Sequence, residues 1–448
     1  MRNHPACVFG LLVLGACSDV SNIEAGRLLL TAGREASPWE VSPRARTVHP
    51  YSIAPDGTLE QTSPVEAPIT QLFATQPGAH AYGFFARDEE ATRVLGARSL
   101  YVDSATLAES SLPLFFSRTR AFARPTGSFV EPPGPRPVHA MLQGRYWVTL
   151  TRSSSGNLLL QGYDLLTWSV DADAIELRCP VRGCVPQAAA GTGWKLLVLG
   201  SSWAMWVDLE DGTSGDVTLP PGLDSFAEIA GARTVQTPND VAYLVGPTKS
   251  DEASSAVLLL DADGSLSVVR TVASRRAAAA AWVDGLGLLV AGGNDTAPPA
   301  ELLDPADRKF QSRGGDTTYR GYSPQVAVQG LSAVVLGGVD AEGAPSKALA
   351  LDLTCRDCLA SSLELFAGAA GGVASFDPEG RILVAGSDDS GAQAAFLVDV
   401  AAGITESIPA PRPRSDASYA VLPTGHLGIV GGLSPDGGLA QGIELILP

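Results

Sequence analysis

The sequence predicts an all-β protein built from one repeated unit, and three observations carry that expectation. Short apolar runs ending in glycine recur at a nearly constant step. Each is followed, after a loop of variable length, by a second short run ending in aspartate. Convincing amphipathic helices are absent. The chain has 448 residues, 45% hydrophobic and 18% charged, with 48 Gly and 32 Pro. That much apolar chain can bury a large core, and closed all-β folds often use this length as one domain. Glycine has no period of three and no charge-rich heptads run through the chain, which excludes collagen-like and coiled-coil classes.

The N-terminus gives the address. Arg2 is followed by the apolar run Ala6–Leu14, then by Gly15, Ala16 and Cys17. This layout is that of a secretory signal, and the run is too short to span a bilayer comfortably. Leu14-Gly15-Ala16-Cys17 resembles the bacterial lipobox. The resemblance implies that Cys17 becomes the lipid-modified N-terminus of the mature chain, and Ser18 after it leans towards outer-membrane sorting. An ordinary signal peptide with an incidental Cys17 is the plainer alternative. The expected segments are a signal peptide over 1–16, a tether over 17–26 and the folded body over 27–448. Formal charge is −17, and loss of Arg2 with the signal makes it −18. Such a body repels phosphate backbones, so nucleic acid is not an expected partner. It is also pushed away from anionic membranes, so a lipid anchor rather than a basic patch must hold it there.

Four cysteines remain outside the signal. Cys179 with Cys184, and Cys355 with Cys358, read as two local disulfides in an oxidising compartment. A four-Cys zinc site is the sharper alternative, but the pairs lie far apart in sequence. A Cys-x-x-Cys redox pair lacks its βαβ context around Cys355.

The repeat is the strongest signal. Leu288-Leu289-Val290-Ala291-Gly292-Gly293, Ala333-Val334-Val335-Leu336-Gly337-Gly338, Ile382-Leu383-Val384-Ala385-Gly386-Ser387 and Ile429-Val430-Gly431-Gly432 are its clearest copies. With weaker copies ending at Gly200 and Gly246, the first glycines step by 46, 46, 45, 49 and 45 residues. That step fits a unit of about four short strands. The second element includes Trp206-Val207-Asp208, Leu259-Leu260-Asp261, Leu302-Leu303-Asp304, Ala350-Leu351-Asp352 and Leu397-Val398-Asp399. Tyr101-Val102-Asp103 and Gly162-Tyr163-Asp164 are expected as earlier copies. The aliphatic runs suit buried strands, glycine permits positive φ and close approach where they end, and aspartate opens the next turn. Ala277–Ala281 is expected as the innermost strand of a unit rather than a helix.

Strand–Gly–Gly, a loop, then a strand such as Ala300-Glu301-Leu302-Leu303-Asp304-Pro305 resembles the kelch repeat of β-propellers. The resemblance is best over 273–448, recognisable over about 180–448 and weak over 65–179. The tryptophan usual after the second element is mostly missing, with Phe310 a substitute in one unit. It implies a single propeller with units at 65–113, 114–179, 180–222, 223–272, 273–318, 319–366, 367–410 and 411–448. Eight blades are favoured, with seven or nine as alternatives because Val48–Ile53 is also strand-like. The last unit lacks a fourth strand, so ring closure by the strand-like run 27–33 is expected.

Candidate chemistry is sparse. His49, His80, His139 and His426 fall in different units, so neither a metal site nor any cofactor is expected. The cross-linked Cys–Tyr chemistry of kelch-type copper oxidases is disfavoured, because each mature cysteine has a close neighbour to pair with. Asp261-Ala262-Asp263-Gly264 and Ser434-Pro435-Asp436-Gly437-Gly438 read as hairpin turns. One stretch suggests binding: aromatics alternate with arginines from Phe115 to Pro125, where Arg118, Arg120, Phe122 and Arg124 would stack on a sugar or grip an acidic partner. The alternative is an inter-blade connection whose phenylalanines enter the core. No nucleophile, base and orienter is visible, so no catalytic residue is named. The expected function is a non-enzymatic, lipid-anchored envelope scaffold that binds a protein or a glycan. Its rival is a kelch-class envelope enzyme acting on carbohydrate (epimerase, lyase or oxidase), with a site at the central channel.

Overall fold

The computed structural model describes residues 28–447 apart from 56–57, 70–77, 104–110, 248–252, 297 and 366–368, with backbone alone at 28 and 171–173. It contains strands and one short 3-10 turn, Phe226–Glu228. Cys17 and the signal segment lie outside the described residues.

Seven four-stranded antiparallel sheets follow one another along the chain and form the blades of a β-propeller. Blade 1 comprises Val138–Leu142, Tyr146–Arg152, Leu158–Asp164 and Ser169–Leu177. Blade 2 comprises Ala188–Thr192, Lys195–Leu199, Ala204–Asp208 and Thr213–Asp216. Blade 3 runs from Arg233–Gln236 through Ala242–Val245 and Ala256–Leu260 to Leu266–Arg270. Blade 4 is Ala279–Val283, Gly287–Ala291, Ala300–Asp304 and Lys309–Arg313. Blade 5 is Gln325–Gln329, Ser332–Leu336, Ala348–Asp352 and Ser361–Leu363. Blade 6 is Ala370–Phe376, Ile382–Ser387, Gln393–Asp399 and Ile404–Ile408. Blade 7 takes Ser418–Val421, Leu427–Val430 and Ile443–Ile446 from the C-terminus.

Every blade lies between two others, so its second strand is buried on both faces and reads as an aliphatic run instead of an alternation. Leu288, Leu289, Val290 and Ala291 are fully buried. One core fills each blade–blade interface, from the 1–2 contact around Leu196 and Val198 to the 6–7 contact around Leu427 and Ile429. The ring closes where Trp147 and Tyr163 of blade 1 meet Val430 and Leu445 of blade 7.

The double glycine has a defined task. Gly292 and Gly293 both adopt positive φ (+66° and +78°), and a Cβ on Gly292 would come within 2.6 Å of Pro324. The turn aims the Gly292 carbonyl at Arg275, whose Nη1 donates to it at 2.7 Å. The same guanidinium pairs with Glu301 at 2.9 Å, both side chains being completely buried. Blade 7 repeats the arrangement with Arg414, the Gly431 carbonyl and Glu444. These buried pairs tie the entry of the first strand to the third strand of the same blade.

The favoured count of eight is corrected to seven, and the reason lies in residues 28–118. The expected unit over 65–113 is not a blade. Its strands Ala79–Arg87 and Arg93–Asp103 join Leu28–Thr31, Leu112–Arg118, Thr47–Ile53, Leu59–Gln61 and Val65–Glu66 in a seven-stranded sheet of their own. Tyr101-Val102-Asp103 therefore ends a strand of this sheet and is no copy of the blade repeat. The expected closing strand at 27–33 is also corrected: Leu28–Thr31 pairs in parallel with Leu112–Phe115. Closure does use an N-terminal strand, but it is Phe122–Ala123, which pairs with Leu445 and Ile446 as the outer strand of blade 7. The unit expected over 114–179 is thus split between that strap and blade 1. Gly162-Tyr163-Asp164, by contrast, ends the third strand of blade 1, and Ala279–Val283 is innermost in blade 4.

Candidate functional site

The sequence-selected residues fall in three places. Cys179–Cys184 and Cys355–Cys358 form two disulfides with Cα separations of 5.8 and 5.5 Å, which fits an exported protein. No helix among the described residues is long and apolar enough to cross a membrane. The Arg-rich stretch is the strap between the flanking sheet and blade 7. Arg118 donates to the carbonyls of Val41 and Pro43, Arg120 lies 3.5 Å from Glu379, and Arg124 donates to Glu35 at 3.0 Å. Phe122 packs against the core between blades 6 and 7. Phe115, fully buried, stacks near Trp168 and His426 at ring separations of 5.3 and 5.9 Å. All three arginines are thus engaged within the molecule.

The histidines are not gathered. His49 stacks on Phe85 in the flanking sheet, His139 is on the inner strand of blade 1, and His426 is buried in a hairpin turn of blade 7. Among the described residues, no group of three or more His, Cys, Asp or Glu side chains is placed to hold a metal ion.

Two features that carry chemistry were not singled out from the sequence. The first is the central channel, lined by the innermost strand of each blade. These strands read VHAML, AAAGT, RTVQ, AAAWV, QVAVQ, AGGVASF and SYAV. Small side chains dominate because blades converge at the axis and space tapers there. Arg233 is the one lysine, arginine or carboxylate among them. Its Nη1 donates to the Gly372 carbonyl on the inner strand of blade 6 at 2.8 Å, so the guanidinium bridges across the channel. Burial holds His139 down at about 4, with the Arg233 charge a lesser cause, so its ring is neutral at pH 7.

The second is a groove between the outer parts of blades 2 and 3, formed by two adjoining hollows of about 260 and 410 Å³. Trp206 lines both. Trp206 is half-buried, packing against the core between blades 2 and 3, and its strand partner Gly215 adds no side chain over the exposed part. The outermost strand here, Thr213–Asp216, is exposed along its whole length and brings nothing apolar to fill the wedge between diverging blades. Lys195, Asp208, Asp216 and Asp263 edge the groove, with the hairpin at Gly264 forming one wall. Hydrogen bonds from Ser265 hold Asp263 below the usual carboxylate range, and the Lys195 charge adds to this. An aromatic floor with polar groups at its edge suits a ligand with one apolar face and several hydroxyl or amino groups. A signal for Trp206 was present: two residues before the repeat's aspartate, the other copies carry Gly162, Leu259, Leu302, Ala350 and Leu397. Arg233 had none, because which strands are innermost is not written locally.

No family model matches the chain, and no curated protein matches it. Among solved structures, the chain is similar to one titled "Structure of YjhT", at 13% identity and a TM-score of 0.43, over 71% of this chain and 97% of that chain.

Proposed function

We propose that this protein is a non-enzymatic binding scaffold of the cell envelope, a kelch-like propeller held to the membrane by lipid on Cys17, and that it binds glycan through the groove at Trp206. The observation that carries the binding role is the half-buried Trp206, paired with Gly215 and lining both hollows, with Lys195, Asp208, Asp216 and Asp263 at the groove's edge. A sugar ring offers the matching pair of surfaces, C–H groups for the indole face and hydroxyls for the carboxylates. The excess of carboxylates favours neutral or amino sugars over uronic or sulfated ones. Double glycines and the Glu-bearing third strands of blades 4 and 7 support the kelch-like reading. The two disulfides support export. The enzymatic alternative has less support at the channel, where Arg233 is already bonded to Gly372 and burial makes His139 a weak base.

The test uses the full-length protein expressed in a bacterium, purified in detergent and titrated with neutral and amino-sugar oligosaccharides by calorimetry. Trp206→Ala is expected to weaken binding at least tenfold; because the indole also packs against the blade 2–3 core, the midpoint falls too, so binding is compared well below it, where circular dichroism shows the wild-type fold. Equal affinity in both proteins would remove the groove from the proposal. Cys17→Ala is expected to move the protein out of the membrane fraction and to abolish acylation seen by mass spectrometry.

A further inference from the structure

Among the described residues, no carboxylate is paired with the one charge on the channel strands, that of Arg233. Arg233 begins the inner strand of blade 3, at the glycine-ended face of the ring, since it pairs with Val245 just before Gly246. Gly372 and His139 also lie near the starts of their inner strands, so all three are at the same mouth of the channel. The ion pairs among the described residues include the arginines of blades 4, 6 and 7, but not Arg233. Its hydrogen bond to Gly372 occupies one of five N–H donors. The nearby side-chain donors are spent on main chain: Thr234 on Ala189, Gln236 on Gly191, Gln325 on Ala369, and Ser418 on Pro137, while the Oε1 atoms of Gln236 and Gln325 are neutral acceptors that supply no opposite charge.

An enclosed guanidinium without a carboxylate is costly, and elsewhere this protein avoids that cost: Arg275 has Glu301 and Arg414 has Glu444. Channel water can satisfy the spare N–H groups, but it does not supply the opposite charge. In a chain of formal charge −17, the innermost strands nevertheless carry one cation and no carboxylate. Arg233 is only partly buried, so it is open to solvent at the mouth.

We infer that the channel mouth is an oxyanion-binding site, in which the free N–H fork of Arg233 receives a carboxylate or phosphate group while its bond to Gly372 holds the guanidinium in place. The fork geometry favours two parallel hydrogen bonds to such a group. His139 stands beside this site and reports on it, because a bound anion offsets the Arg233 charge that it senses. The site is separate from the groove at Trp206, so either can fail without the other.

The experiment titrates the full-length protein with inorganic phosphate and, separately, with acetate, following the His139 imidazole resonances by NMR and binding by calorimetry. Wild type is expected to bind at least one of the two saturably, with the His139 pKa rising on binding. Arg233→Gln, which keeps a donor for Gly372 without the charge, is expected to lose about ten- to a hundredfold in affinity. Phosphate binding alone assigns a phosphate ligand, and acetate binding alone a carboxylate ligand. Trp206→Ala is expected to bind both anions as wild type does. If neither anion binds, or if Arg233→Gln binds them as well as wild type, the proposal is overturned. The Arg233→Gln protein must first show the wild-type circular dichroism spectrum, and Arg233→Lys, which keeps the charge but not the fork, is expected to show intermediate affinity.

Discussion

The ring and the sheet that flanks it solve the same problem with different side chains. Most blade interfaces are mainly aliphatic and small near the axis, as in Ala188-Ala189-Ala190 and Ala279-Ala280-Ala281, the ring closure at Trp147 and Tyr163 being the aromatic exception. The sheet over residues 28–118 instead buries aromatics: Trp39 stacks against Phe84 at 5.8 Å and against Phe116 at 5.3 Å. Its central strands are also longer, nine residues over Ala79–Arg87 and eleven over Arg93–Asp103, against four or five in most blade strands. Blades must fit an annulus of fixed taper, which selects short strands and small inner residues. A sheet outside the annulus has no such limit. Polar anchoring differs in the same way, since buried Arg–Glu pairs lock blades 4 and 7, whereas the described ion pairs of the flanking sheet, such as Arg46–Glu89, are exposed.

That contrast orders the expected effects of substitution. Glu301→Ala leaves Arg275 charged and wholly buried, and is expected to cost about 3–5 kcal/mol in urea unfolding. Replacing both partners, Arg275→Met with Glu301→Leu, is expected to recover only part of it, because Glu301 also accepts from the Val272 and Ala273 N–H groups and Arg275 donates to the Gly292 carbonyl. A double variant no more stable than the single one would show that the pair fixes the strand entry as well as the charge. Phe84→Ala in the flanking sheet is expected to cost about 3 kcal/mol, because half-buried Trp39 can settle into part of the space. Limited proteolysis should then cut within 28–118 first. Cuts that begin in the blades would break the distinction between the two regions.

The junction between them carries a pH dependence. His426 is fully buried against Phe115 of the sheet and Trp168 of blade 1, and burial, aided by the Arg98 charge, pushes it down to about 3. Between about pH 6.5 and 3 the unfolded chain therefore binds a proton that the folded chain refuses. Stability from this group is complete above pH 6.5 and falls with acidification, by up to about 1.4 kcal/mol per pH unit. His426→Gln is expected to flatten that slope between pH 4 and 6. The smallest effect belongs to the Cys355–Cys358 bridge, whose short loop limits the loss on Cys355→Ser with Cys358→Ser to about 2 kcal/mol.

The repeat was legible because burial on both faces forces the same aliphatic run, ending at the same glycine turn, in unit after unit. Both disulfides were legible from spacing and compartment. The hairpin at Asp261–Ser265 closes as its residues suggest, with Gly264 donating to the Asp261 carbonyl. The flanking sheet was misread as a blade because Tyr101-Val102-Asp103 has the local pattern of the second element, and strand partners are chosen at a distance. The arginines near Phe122 looked free because Val41, Pro43, Glu35 and Glu379, which engage them, are remote in sequence.

The sequence by itself determined the strands, their turns and the period of the repeat, since these follow from local burial, glycine φ and aspartate turns. Tertiary structure alone decided the number of blades, the strap that closes the ring, and which side chains meet at the channel and the groove. Those depend on which strands end up innermost and on where blades diverge, and long-range packing sets both.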